Sequence, residues 1–240
     1  MPSQLEKLQA HASHLLDAFL ALRERYAILD PMLFHEQVPK TRGSGKQYRG
    51  FMILRHSLFL SCVQDIAKLS LDDDKRTPSL INLVAALDDS SLVKAFREQF
   101  AMWHSPLIEE ETDPEIIEAL RRMDLREEAE RRAQFDEILA DTRIKLAELI
   151  GSPFMNGFLT IRDKITAHTE VQFVVDKYQF VDIGALGTKW SDVKKAIEMM
   201  QTLVENLSLL IRNAGFAWEM LDAQLSKASH AFWQPVEAAA

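Results

Sequence analysis

Within one stretch of seven residues, Arg162-Asp163-Lys164-Ile165-Thr166-Ala167-His168, the chain places a guanidinium, a carboxylate, an ammonium and an imidazole. Imidazole titrates near neutral pH and can take up or release a proton there. Guanidinium stays charged, and its planar fork matches carboxylate and phosphate oxygens. Phe154, Phe158, Ile161 and Ile165 are spaced four, three and four apart, and His168 continues that series. On an ideal helix Arg162 and His168 diverge by about 120°, yet each lies only about 60° from Ile165. They therefore flank one packed face. Polar groups beside an apolar seam need partners. A histidine satisfied by a carboxylate or carbonyl, next to an arginine whose stem reaches water, accounts for this spacing as well as a reactive pair does.

Other constellations fail on their spacing. Gly43-Ser44-Gly45-Lys46 invites a phosphate-loop reading, but that pattern needs glycine where Lys40 stands and Ser or Thr where Gln47 stands. His35-Glu36 opens a zinc-protease pattern whose second histidine is replaced by Pro39. Asp72-Asp73-Asp74 lacks the spacing of a calcium loop. Cys62 is alone, so neither a disulfide framework nor a thiolate metal site is available. No metal site and no cofactor are expected. Two accessory groups stand out. Arg55 sits in a strongly apolar segment, where a charge needs a partner such as Asp65. The segment Pro39–Gly50 carries Lys40, Arg42, Lys46 and Arg49 with no acid, a candidate phosphate contact or a plain solvated loop.

The elements that must position these residues are helical. The 240 residues include eight glycines and eight prolines, well below the roughly 12% of average usage. No glycine occurs between Gly50 and Gly151, which is hard to reconcile with the frequent turns of a β-sandwich. Leu5, Leu8, Ala12, Leu15, Phe19, Leu22, Tyr26 and Leu29 mark a helix that Asp30-Pro31 should stop. A second helix, about Gln47–Leu71, is apolar on most faces and is expected to be central. Ser79 should open a short helix to Leu87, and Ser90 or Ser91 another through Trp103. Asp113-Pro114 should cap a charged helix running to Ile150. Gly151-Ser152-Pro153 should end it with a glycine cap and start the Arg162 helix. Val171–Gly187 reads as a loop or short hairpin. A final helix from Ser191 keeps a 4-3 alternation through Gly215 to Leu225. The tail from Gln234 reads as disordered.

The chain has 28 basic and 36 acidic residues, a net charge of −8, so nothing global draws it to nucleic acid. No 18-residue apolar run is present and the opening residues form no leader, so no membrane association and a cytoplasmic location are expected.

The phrase LTIRDKITAHTE, residues 159–170, resembles the Rx4–6H motif of the HEPN superfamily, and in particular the abortive-infection U-type proteins. Two neighbouring phrases are similar as well: Thr188-Lys189-Trp190-Ser191-Asp192-Val193 and the segment Leu69–Leu87. The resemblance implies a mainly α, up-and-down bundle of long antiparallel helices, with a possible short β-hairpin near 171–183. It implies a single domain: an N-terminal helix (1–36), a basic linker (37–50), a HEPN-like core (51–215) and a C-terminal extension (216–240). It further implies metal-independent RNA cleavage in phage defence or a toxin–antitoxin setting. His168 would be general acid or base for attack by the ribose 2′-OH, and Arg162 the phosphate holder. Asp163 would orient one of them. Arg55, Lys46, Arg49 and Lys164 would be accessory RNA contacts. A homodimer with a composite site, an RNA substrate and a cognate antitoxin are the implied partners. The alternative is a catalytically silent bundle binding RNA, nucleotide or protein.

Overall fold

The computed structural model describes residues 3–41, 44–167, 171–174, 177–180 and 182–234. Its longest helices are α1 (Gln4–Phe34), α3 (Lys46–Leu71), α7 (Pro114–Ile150) and α9 (Trp190–Arg212), with shorter helices α2 (Gln37–Lys40), α4 (Leu80–Ala86), α5 (Ser90–Ala101), α6 (Leu107–Glu110), α8 (Pro153–Ile161) and α10 (Trp218–Trp233). The expected mainly α bundle is what forms. Two short strands, β1 (Val171–Val174) and β2 (Lys177–Phe180), pair antiparallel in the one region where a hairpin was expected.

α1 packs on α3 and α9, and their apolar stripes meet in one core with side chains from α4, α5, α7 and α8. The α1 stripe behaves as its spacing dictates: Leu15, Phe19, Leu22 and Leu29 are almost wholly buried. Ser3 and Glu6 form a reciprocal capping box at its start, the Glu6 N–H donating to Ser3 Oγ and the Ser3 N–H to Glu6 Oε2.

The helix does not stop at Pro31, as the sequence led one to expect, but runs on to Phe34. A proline removes one helical N–H and so orphans the carbonyl four residues before it. Here that carbonyl belongs to Ala27, and Ser229 Oγ of α10 donates to it at 2.6 Å. Trp233 Nε1 donates to the next carbonyl, Ile28, at 3.0 Å. With its acceptors satisfied from outside, the last turn survives.

α10 reaches this place because the final helix is not continuous, another departure from expectation. Asn213 adopts the left-handed conformation at φ 51 and ends α9, its N–H donating to the Leu209 carbonyl. Trp218 then packs edge-on to Phe19 of α1, with ring centroids 5.9 Å apart. The 4-3 alternation is thus shared between two helices that both face α1.

Other expectations shift at their edges. The segment 37–50 is not all linker: α2 occupies Gln37–Lys40, and α3 begins at Lys46 after Gly45, whose φ of 64 suits glycine. Arg42 and Gly43 lie outside the described residues. α3 is buried mainly in its second half, with Phe51 buried in the first; Ile53 and Leu54 are exposed. α5 is capped by Asp89 rather than Ser90 or Ser91, the carboxylate accepting from the Ser91 and Leu92 N–H groups. It ends at Ala101, short of Trp103. Arg131 Nε takes up the freed Phe100 carbonyl at 2.9 Å, and its guanidinium stacks on Phe100 and Trp103. α7 runs unbroken from its Asp113 cap, as expected. Residues 235–240, most of the tail read as disordered, lie outside the described residues. Among the described residues no helix is long and apolar enough to cross a membrane.

Candidate functional site

The Arg162 helix is assembled from a punctuated start. Pro153 supplies its first turn and Ser152 precedes it in extended conformation. Two details differ from the expected caps. Ser152 Oγ turns back to donate to the Glu148 carbonyl at 2.8 Å, so it closes α7 instead of capping α8. Gly151 stays right-handed at φ −75, its N–H returning to the Ala147 carbonyl. Phe154, Met155, Phe158 and Ile161 are buried, and Ile165 packs against the same core. The apolar face inferred from spacing is real.

From Arg162 to Ala167 the α pattern gives way to a π turn. Its hydrogen bonds run to the fifth residue instead of the fourth, which widens the turn and slides side chains around the axis; such turns recur at functional sites. The ideal-helix angles used to relate Arg162 to His168 therefore do not hold across this segment. His168 itself lies outside the described residues.

Arg162 Nε donates to Asp163 Oδ1 at 2.7 Å. The arginine side chain is 26% exposed and the aspartate 54%. Of the two roles expected for Asp163, the contact bears on Arg162 alone, since His168 lies outside the described residues. Lys164 is half-buried on the same turn.

α3 packs against both α8 and the π turn, and it carries three of the four accessory candidates, Lys46, Arg49 and Arg55. Arg55 does not pair with Asp65, contrary to the simplest reading of its apolar setting. Asp65 bonds Arg25 of α1 instead. The Arg55 guanidinium lies 5.5 Å from the Trp190 ring centroid and 6.0 Å from that of Phe51, a cation–π arrangement that leaves its N–H edges available for an anion. Trp190 in turn stands edge-on to Phe59 at 4.5 Å. Lys46 and Arg49 are exposed on the first turn of α3.

Three positioning residues escaped the sequence reading. Trp190 holds Arg55 but stood there only as part of a phrase. Gly157 and Thr188 seat α8 against the segment leading into α9: a Cβ on Gly157 would lie 2.5 Å from Thr188 Cγ2. The α9 start is fixed next to them by Asp192, whose Oδ2 accepts from the Lys189 N–H at 2.7 Å. A glycine inside an apolar helix was the only available signal. Among the described residues no three His, Cys, Asp or Glu side chains gather as a metal site would require.

Fold and site together define a bundle of long helices whose arginine-bearing helix end rests on the central helix α3. The family model HEPN_AbiU2, described as AbiU2, matches residues 5–232, and the chain belongs to that HEPN family. No curated protein and no solved structure matches it.

Proposed function

We propose that this protein is a metal-independent RNA endonuclease acting in abortive infection, either as a phage-defence effector or as the toxin of a toxin–antitoxin pair. Membership of the AbiU2 family supports the biological setting. The observation that carries the chemistry is Arg162 at a π turn, partly exposed and oriented by Asp163, on a helix packed against the Arg55-bearing α3. His168 acts as the acid–base group. It helps the ribose 2′-OH attack the adjacent phosphorus, and the 5′-oxygen leaves with a proton. Arg162 stabilises the charge that grows on the phosphate. The products are a 2′,3′-cyclic phosphate and a 5′-hydroxyl. Arg55, Lys46, Arg49 and Lys164 hold flanking phosphates. The chain works as one domain in the cytoplasm, as a homodimer whose two motif helices face each other, and a cognate antitoxin restrains it.

A silent bundle that binds RNA, nucleotide or protein is the competing reading, favoured by the engagement of Arg162 with Asp163 and by the net charge of −8. Incubating the purified protein with single-stranded RNA in EDTA separates the two. Cleavage lost in both His168→Ala and Arg162→Ala, with the helical spectrum unchanged, is the expected result. Intact RNA with the wild-type protein, or cleavage indifferent to both substitutions, would establish the silent bundle.

A further inference from the structure

A cavity of about 590 Å³ opens between the first turns of α1, the loop joining α3 to α4, and α4 itself. Its volume is that of a small-molecule site. None of its lining residues belongs to α8, the π turn or α9. Lys7 and His11, one helical turn apart on α1, share its wall with Lys75 of the loop. No carboxylate is among the described residues that line it, although the chain as a whole is acidic. Leu8 and Leu83 are buried in its floor beside the small side chains Ala85 and Ala86.

Of the neighbouring carboxylates, Asp73 is exposed on the loop and three others are engaged. Glu6 closes the α1 cap. Asp72 Oδ1 accepts the Asp74 N–H. Asp74 is bonded twice over by Arg76, whose hydrogen bonds hold its carboxyl down at about 2. Lys7 and Lys75 make no ion pair with any described residue. Burial first, then the charges of Lys7 and His14, hold His11 below the usual imidazole value.

The loop is also rigid. Asn82 Nδ2 donates to the carbonyls of Asp72, Asp74 and Thr77 at 2.8–3.1 Å. Ser79 Oγ donates to the Asp72 carbonyl at 2.5 Å. Lys75 is therefore presented by a fixed turn. Because Asn82 spends its amide nitrogen on the loop, its Oδ1 is left as an acceptor at the cavity wall.

We propose that this cavity binds a small organic phosphate, the phosphate lying against Lys7, His11 and Lys75 and a flat apolar body resting on the Leu8–Leu83 floor. Two lysines lining one cavity suit a doubly charged headgroup better than a single carboxylate. Small floor residues leave a shallow surface for a planar ring, and Asn82 Oδ1 suits a ring amino group. The site does not rest on the ribonuclease reading: its residues are separate from Arg162 and His168, and it is scored by binding, not by cleavage.

Isothermal titration of the full chain with the four nucleoside monophosphates, phenyl phosphate, adenosine and inorganic phosphate tests it. At least one organic phosphate should bind at least about tenfold more tightly than both inorganic phosphate and adenosine. Lys7→Glu with Lys75→Glu should weaken that binding by at least about tenfold, and Lys75→Arg should retain it. Circular dichroism confirms folding; Lys7→Ser with Lys75→Ser replaces the reversal pair if that pair does not fold. Binding indifferent to the lysines, equal binding of inorganic phosphate, or no binding by any organic phosphate up to about 1 mM overturns the proposal. So does single-stranded RNA that binds through Lys7 and Lys75 when no organic phosphate does.

Discussion

Along α9, ten of 23 residues are buried at three- and four-residue spacing, and the helix keeps its regular pattern from Lys189 to Asn213. Along α8 the same spacing holds for nine residues, and then the chain opens into a π turn at Arg162. Both regions pack on α3. One is a regular interior made by α1, α3 and α9, where apolar side chains interlock. The other is an irregular end, where apolar Phe158 and Ile161 anchor the helix and polar Arg162, Asp163 and Lys164 follow at once. Close packing rewards repetition, and the chain departs from it at the π turn, where the polar residues begin.

The sharpest way to break this comparison is to remove one side chain from each region. Phe19 is fully buried in α1, and Phe19→Ala should cost about 3–5 kcal/mol in urea unfolding. Ile165, only partly buried on the π turn, should cost clearly less on the same substitution. Equal losses would mean that the π turn is as much a part of the interior as α1 is.

The seating of the irregular end can be tested next. Gly157→Ala would drive its Cβ into Thr188 Cγ2, and overpacking should cost about 1–3 kcal/mol despite the better helix propensity of alanine. Adding Thr188→Ser removes that methyl and should recover most of the loss. A double-mutant cycle with no coupling would show that Gly157 is not held by Thr188.

How much of this was readable from the residues alone divides along the same line. Phe154, Phe158 and Ile161 declared their buried face, because period and burial are one property of a packed α-helix. The AbiU2-type phrases likewise pointed to the family that matches residues 5–232. The π turn was not readable, since nothing in the spacing of Arg162 to Ala167 separates a π turn from an α turn. The break at Asn213 was hidden for a related reason. Ala214 and Trp218 keep the 4-3 rhythm although the chain turns between them, because both helices need an apolar side toward α1. Pro31 misled in the opposite sense, as only the distant Ser229 reveals how its turn is kept.

That last contact makes a third test, now inside the regular interior. Ser229→Ala leaves the Ala27 carbonyl without its donor and should cost about 1 kcal/mol. In the Pro31→Ala background the helix can supply its own N–H to Ala27, so the same Ser229→Ala change should cost less. An identical cost in both backgrounds would show that Ser229 does not compensate for the proline.

The smallest expected effect concerns Tyr26, the polar member of the α1 stripe, whose hydroxyl donates to Asp30 Oδ1 at 2.8 Å. Burial first, then the hydrogen bond and charge of Asp30, push its ionisation above the usual phenol value of 10.0. The folded state therefore keeps a proton that the unfolded state releases. By linkage, this contribution is fully present below about pH 10 and declines as pH rises further, by about 0.8 kcal/mol at pH 10.5. Lysines titrate in the same range, so the informative quantity is the difference between wild type and Tyr26→Phe. That difference should be flat from pH 7 to 9 and then shift against the wild type as pH climbs. A difference independent of pH up to 10.5 would place the Tyr26 hydroxyl in contact with water, and the interior at α1 would then be less closed than its packing implies.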